Sequence, residues 1–119
     1  MFPSFLLNKV YVQKSLKNID NGFQFTLKNV VDSGTLGGIK SLNVDGAEIP
    51  LSAISIKTPT LEKRAEEIIF RSSVPLRINM EAVILIVGQP LSAGPHEVKL
   101  AINVLEAGKL EIAIKDEVS

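Results

Sequence analysis

The chain has no cysteine, no tryptophan and a single histidine, His96. Without cysteine it cannot form disulfide bonds, a reactive thiolate or cysteine-ligated zinc and iron–sulfur sites. One histidine cannot supply a histidine-rich metal site or a two-histidine acid–base pair within one chain. We therefore name no catalytic, cofactor-binding or metal-binding residue in this sequence.

Long apolar runs are also missing. No segment reaches the length of about 18 apolar residues that a membrane-spanning helix needs. The apolar start of the chain lacks the basic residues of a signal peptide, and Pro3 and Ser4 interrupt it. These features predict a cytoplasmic protein without a membrane partner, although a secreted protein whose signal has been removed would look the same.

Charge of one sign is not in excess, because 13 basic residues balance 13 acidic residues. No basic stripe is present to neutralise a phosphate backbone, so we expect no nucleic-acid partner. The chain is 45% hydrophobic and only 22% charged, which is apolar for a small protein. This composition predicts permanent association with another chain, although β proteins rich in Val, Ile and Leu also score high.

The strongest pattern in the sequence is the alternation of apolar and polar residues. Apolar and polar residues alternate over residues 23–28, 97–104 and 110–115, which predicts three strands with one solvated face each. The last two strands are joined by a short connection that ends at Gly108, as in a hairpin. Weaker strand signals cover residues 10–13, 39–45, 54–57 and 76–80.

Two further segments complete the predicted fold. Residues 82–87 are apolar throughout, which places them at the centre of a sheet or under a partner. Apolar residues at helical spacing over residues 60–70 predict one short helix or helical turn. The sequence therefore predicts a single all-β domain spanning residues 1–119, an antiparallel β-sandwich of immunoglobulin-like or jelly-roll-like type with one short helix.

Few residues suggest chemistry. His96 stands where a strand begins and is interpreted as a structural residue. The glycine-rich residues 34–38 lack the Lys-Ser/Thr ending of a phosphate-binding loop and are interpreted as a flexible loop. Glu66 and Glu67 are adjacent, so they cannot face each other across a substrate. An enzyme acting alone would need His96 or a carboxylate cluster exposed in a pocket.

Three ordered segments carry a family resemblance: residues 15–25, 42–50 and 91–98. Over roughly residues 14–117 the sequence resembles the small (beta) subunit of bacterial C-glycoside deglycosidases. The resemblance implies a non-catalytic β-sandwich that supports a larger TIM-barrel catalytic subunit. That subunit would hold a divalent metal such as manganese and cleave the C–C bond between a 3-keto sugar and an aromatic, flavonoid-type aglycone.

The partner interface is predicted from apolar residues beyond the needs of one core, which are Phe2, Phe5, Leu6, Leu7, Ile84 and Ile86. The alternative function is an immunoglobulin-like binding or adhesion module, or a carbohydrate-binding module. A carbohydrate-binding module would stack sugars on aromatic side chains, for which Tyr11, Phe2 and Phe5 are the candidates.

Overall fold

Residues 9–69 and 71–118, which the computed structural model describes, form ten β-strands in two antiparallel sheets. Two single turns of 3-10 helix, Leu51–Ala53 and Ala65–Glu67, lie between strands. The predicted all-β sandwich is confirmed. In chain order the strands are β1 (Lys17–Ile19), β2 (Gly22–Lys28), β3 (Gly34–Val44), β4 (Ala47–Ile49), β5 (Ile54–Lys57), β6 (Glu62–Arg64), β7 (Val74–Leu76), β8 (Glu81–Val87), β9 (Gly94–Val104) and β10 (Gly108–Val118).

The first sheet has the strand order β1-β2-β8-β5-β6, and the second has the order β10-β9-β3-β4 with β7 paired to the start of β3. The long β9–β10 hairpin matches the prediction from alternation. Each strand of this hairpin has 11 residues, and its inward residues include the buried Leu100, Ile112 and Ile114. Burying one such side chain contributes about 1.5–3 kcal/mol.

Strand β8 lies at the centre of the first sheet, between β2 and β5. Its even-numbered residues Ala82, Ile84 and Ile86 are buried in the core, whereas Val83, Leu85 and Val87 lie on the outer face. Alternation is therefore present in the structure although both sets of side chains are apolar. The sequence placed this segment at the centre of a sheet, and the structure confirms that placement.

Strand β3 contains two register shifts against β9, one between Leu36 and Gly38 and one between Ile39 and Ser41. Each β-bulge adds one residue, so the inward side chains of Leu36, Ile39 and Leu42 are three apart instead of two. This spacing hides the strand from a period-two search. The interpretation of residues 34–38 as a flexible loop is wrong, since they pair with β7 and β9.

The helical spacing over residues 60–70 does not give an α-helix. Strand β6 pairs with β5 in this region, and a single 3-10 turn follows it. The hydroxyl of the buried Thr58 accepts hydrogen bonds from the backbone N–H groups of Thr60 and Leu61, which makes a turn where a helix start was expected. No helix in the described ranges is long and apolar enough to cross a membrane.

Other weak strand signals were only partly right. Residues 54–57 form β5 as predicted, whereas residues 10–13 contribute one isolated bridge, from Tyr11 to Leu27. Strand β7 ends at Leu76, and the chain then turns through Asn79, whose φ is 69°. The three-residue strands β1, β4 and β6 are too short to show alternation in the sequence.

Candidate functional site

The single histidine is buried between two acceptors. His96 Nδ1 lies 2.6 Å from Oδ2 of Asp45, and Nε2 lies 2.7 Å from the backbone oxygen of Ser92. Asp45 has a positive φ of 53° and, with Gly46, makes the tight turn between β3 and β4. Its second carboxylate oxygen accepts the backbone N–H of Glu97 at 2.8 Å. The contact fixes this turn to the start of β9.

Both oxygens that face the imidazole can only accept hydrogen bonds, so the arrangement favours the doubly protonated ring. The Asp45 carboxylate, followed by the Ser92 carbonyl, raises the pKa of His96 above its ordinary value of 6.5. The Glu97 backbone N–H and the His96 ring lower the pKa of Asp45. With both ring nitrogens engaged, His96 acts as a structural clamp, in agreement with its interpretation from the sequence.

A second buried polar pair lies between Tyr11 and Asp116. The Tyr11 hydroxyl donates to Oδ2 of Asp116 at 2.5 Å, and the backbone N–H of Leu16 reaches the same oxygen at 3.3 Å. Tyr11 is 3% exposed and its ring lies 6.1 Å from that of Phe25. The face of this ring is therefore not available to stack a sugar, which removes Tyr11 from the candidates for carbohydrate binding.

Burial and hydrogen bonding shift the pKa of Asp116 in opposite directions. Burial raises it, but the Tyr11 hydroxyl and the backbone N–H groups of Glu117, Leu16 and Lys14 together lower it below its ordinary value. Burial and the neighbouring carboxylate raise the pKa of Tyr11. The phenol thus stays protonated and the carboxylate ionised, so this pair is a fixed donor and acceptor. A polar groove beside it is lined by Lys14, Lys17 and Lys115.

An apolar cavity of about 90 Å³ lies between the sheets, at the end of the sandwich where β2 and β9 finish. It reaches the surface at the exposed Asp32. Two adjoining loops, which are hydrogen-bonded to each other, carry Val30 and Ile78, which are 40% and 51% exposed. Its walls come from both sheets and include the buried Leu36, Ile39, Ala82, Ile84, Ile102 and Val104 and the half-buried Val10, Leu27, Leu76 and Leu110.

Polar side chains hold the loops around this mouth in place. Asn29 donates from Nδ2 to the backbone oxygens of Asp32 and Leu76 and accepts the N–H of Val31 at Oδ1. On the other side, Glu106 accepts hydrogen bonds from the backbone N–H and the hydroxyl of Thr35. The polar groups of the rim are thus used by the protein itself, and the cavity presents mainly hydrocarbon.

The predicted interface residues fall in two places. Phe2, Phe5, Leu6 and Leu7 lie outside the described residues. Ile84 and Ile86 are each 1% exposed, so their side chains belong to the core of this chain and offer almost no surface to a partner. The apolar surface of the same strand is formed instead by Val83, Leu85 and Val87, which we call the outer stripe.

The neighbours of the outer stripe are mostly uncharged. Leu85 pairs with Gln24 and Ser55, whereas Val83 pairs with Thr26 on one side and with the charged Lys57 on the other. The outer face of the second sheet carries charged residues such as Lys99, Glu111 and Lys115. Among residues 9–69 and 71–118, no three His, Asp or Glu side chains come together as a candidate metal site.

Comparison with protein families gives a match to the model for "Hydroxymethylglutaryl-CoA reductase, N-terminal domain", over residues 6–119. This range covers nearly the whole chain. The chain belongs to this family. Comparison with characterised protein sequences gave no significant match. The family of the reductase N-terminal domain therefore replaces the resemblance as the basis for function.

The resemblance to the small subunit of C-glycoside deglycosidases is wrong, and so is the carbon–carbon bond cleavage that it implied. Its physical source is local structure. Two of the three segments that carried it contain Asp45 and His96, which are bonded to each other to fix a turn. A tight Asp-Gly turn and a Gly-Pro entry to a strand meet geometric needs that many β-sandwich families share.

Sequence reasoning missed three features of this reductase-family domain: the Tyr11–Asp116 pair, the cavity and the outer stripe. Tyr11 and Asp116 lie 105 positions apart, and neither is unusual by itself. The cavity depends on how two sheets meet. The outer stripe could have been found, because assigning alternate residues of 82–87 to opposite faces predicts that one apolar set points outward.

Proposed function

We propose that this chain is the non-catalytic β-sandwich unit of a hydroxymethylglutaryl-CoA reductase and packs against a larger unit that performs the reduction. The family match over residues 6–119 is the observation that carries this proposal. The name of the family gives hydroxymethylglutaryl-CoA as the substrate and reduction as the reaction class. The structure is consistent with a non-catalytic role for this chain within that enzyme. Reduction of the thioester would take place on the partner.

Two hydrogen-bonded ionisable pairs, in which His96, Tyr11 and Asp116 are buried and Asp45 is exposed, support this division of labour. His96 has both ring nitrogens bonded to atoms of its own chain, and Asp116 is held by the Tyr11 hydroxyl. General acid–base catalysis needs a group that can reach a substrate and exchange a proton with it. Here the proton-binding atoms face other parts of the sandwich, so their role is to hold turns and segments together.

The outer stripe is the surface that we assign to the partner. Val87 is 58% exposed, and Val83 and Leu85 are half-buried. Leu85, at the middle of the stripe, lies between the uncharged Gln24 and Ser55, and the one charged partner is Lys57 beside Val83. Apolar surface without charge at its centre is typical of stable protein interfaces. We therefore propose that a larger partner subunit binds this surface. The TIM-barrel fold and the divalent metal of that subunit are predictions that came only from the resemblance.

Co-expression with the catalytic unit of the reductase tests this proposal. We expect a complex of the summed mass in light scattering, and hydroxymethylglutaryl-CoA-dependent oxidation of NADH or NADPH by that complex. Leu85→Lys should weaken the association at least tenfold, because it buries a charge at the centre of the interface. Ala113→Lys, on the exposed outer face of the second sheet, is the matched control and should have no effect.

Two outcomes would overturn the proposal. One is a wild-type chain that stays monomeric beside the catalytic unit, with unchanged reductase activity. The other is a complex that tolerates Leu85→Lys and is broken by Ala113→Lys, which would move the interface to the second sheet. Circular dichroism of both variants shows whether either one has lost its fold.

We also propose that the chain acts in the cytoplasm. The absence of cysteine fits a protein that gains nothing from an oxidising compartment. Fractionation of cells that express the tagged chain tests this, since recovery in the membrane pellet or the external medium would contradict it.

A further inference from the structure

We propose that the apolar cavity at the end of the sandwich is a binding site for the end of an unbranched hydrocarbon chain. This inference is independent of the proposed function, because the cavity lies between the two sheets, the outer stripe lies on the outer face of the first sheet, and the cavity needs no partner. It rests on the cavity's lining, its volume and the state of its rim.

The lining decides the chemical class of the ligand. Side chains from both sheets surround the space, among them Leu36, Ala82, Ile102 and Val104. A polar group inserted among them would lose its hydrogen bonds to water without replacement. Apolar cavities of this kind stay dry and take up apolar molecules.

The volume decides the shape of the ligand. An apolar cavity of about 150 Å³ accepts a benzene ring, whereas this cavity has about 90 Å³. The space is therefore smaller than a cavity that is known to hold a ring. A linear alkyl end is narrower, and the rest of the chain can leave through the mouth.

The rim decides how the ligand enters. The hydrogen-bonding atoms of Asn29 are used to fix the loops around the mouth, so the opening is preformed. The exposed Val30 and Ile78 lie on these loops. A hydrocarbon chain lying across them would keep its polar end in solvent.

A homologous series of straight-chain alcohols, from ethanol to 1-octanol, tests this site. The readout is the NMR shift of methyl groups in the wild-type protein. We expect saturable shifts at Ala82 and Val104, with little change at Val44 and Val118 near the opposite end of the sandwich. Affinity should rise about fourfold per methylene until the cavity is full, and more slowly thereafter.

Three variants separate this site from general hydrophobic contact. Ala82→Leu fills the cavity and should weaken binding at least tenfold. Leu110→Ala removes side-chain volume from the lining, so the fourfold gain per methylene should continue to a longer alcohol. Ala113→Leu adds the same side chain on the exposed face of β10 and should change nothing.

The proposal is overturned if no alcohol gives a saturable shift. It is also overturned if the shifts are equal at both ends of the sandwich, or if Ala82→Leu binds as the wild type does. If Ala82→Leu does not fold, Leu110→Ala is the deciding variant. The proposal is then overturned if the alcohol length at which the fourfold gain ends is the same in Leu110→Ala as in the wild type. Failure of this test would leave association with a reductase unaffected.

Discussion

The Tyr11 hydroxyl and the Asp116 carboxylate join the two sheets of the sandwich through one hydrogen bond of 2.5 Å. Tyr11 is bridged to Leu27 of β2, and Asp116 lies in β10. The pair therefore ties an edge of the first sheet to an edge of the second. Both side chains are buried, and Asp116 also accepts the backbone N–H groups of Leu16 and Glu117.

Tyr11→Phe should lower the free energy of unfolding by about 1–3 kcal/mol, because it leaves a buried carboxylate without its hydroxyl donor. The ring and its contact with Phe25 remain. Urea unfolding measures the loss. In a double-mutant cycle, Asp116→Asn should cost less in the Tyr11→Phe background than in the wild type. Equal costs in both backgrounds would show that the two side chains are not coupled.

The His96–Asp45 contact makes stability depend on pH. The pKa of His96 is raised in the folded protein, so the folded state holds the proton more tightly than the unfolded chain does. The stabilisation is complete below the ordinary pKa of 6.5 and is lost as the pH rises through the folded pKa. The lowered pKa of Asp45 acts at the acidic side, where its contribution disappears as the pH falls.

Urea unfolding between about pH 5.5 and about pH 9 tests this dependence. The free energy of unfolding of the wild type should fall across the upper part of this interval. His96→Gln cannot titrate and should flatten that slope. A variant with the wild-type slope would mean that another group causes the dependence.

Gly22 and Gly88 form a matched pair for backbone packing. A Cβ at Gly22 would lie 1.8 Å from the backbone oxygen of Ile86, and that backbone belongs to the central strand. Gly22→Ala should therefore destabilise the protein by about 1–3 kcal/mol or more. Gly88→Ala meets no atom within 4 Å and should be close to neutral. Thermal unfolding compares them, and similar losses in both would contradict the close approach at Gly22.

Neighbouring residues of β8 should respond differently to truncation. Ile84→Ala removes a fully buried side chain and should cost about 2–5 kcal/mol. Leu85→Ala acts on the outer stripe and should cost about 1 kcal/mol or less in the isolated chain. Chemical denaturation of the isolated chain measures both. If Leu85→Ala is as costly as Ile84→Ala, the outer stripe is part of the core.

The sequence predicted those strands whose two faces differ. Strands β2, β9 and β10 alternate between apolar and charged or polar residues, and all three were predicted. Strand β3 was only half recognised, because its bulges break the period at Gly37 and Lys40. The short helix was replaced by β6 and a 3-10 turn, since pairing with β5 outweighed the weak helical spacing of a few apolar residues.

The candidate sites depended on distance in three dimensions. His96 was interpreted as structural, but nothing in the sequence linked it to its partner Asp45, which lies 51 positions away. For residues 82–87 the sequence predicted an apolar strand without its register, so the predicted interface named Ile84 and Ile86 and missed Leu85. A one-residue change of register exchanges core and surface throughout a strand.

Each bulge in β3 contains one residue more than regular pairing with β9 needs. Pairing with β9 resumes in the same in-and-out order after Gly37 and after Lys40. A chain that lost either residue would pair regularly there and keep Ile39 and Leu42 facing inward. Loss of one residue within β8, which pairs without interruption on both sides, would reverse every side chain beyond the break. Single-residue deletions should therefore be inherited more readily in β3 than in β8 among descendants of this gene.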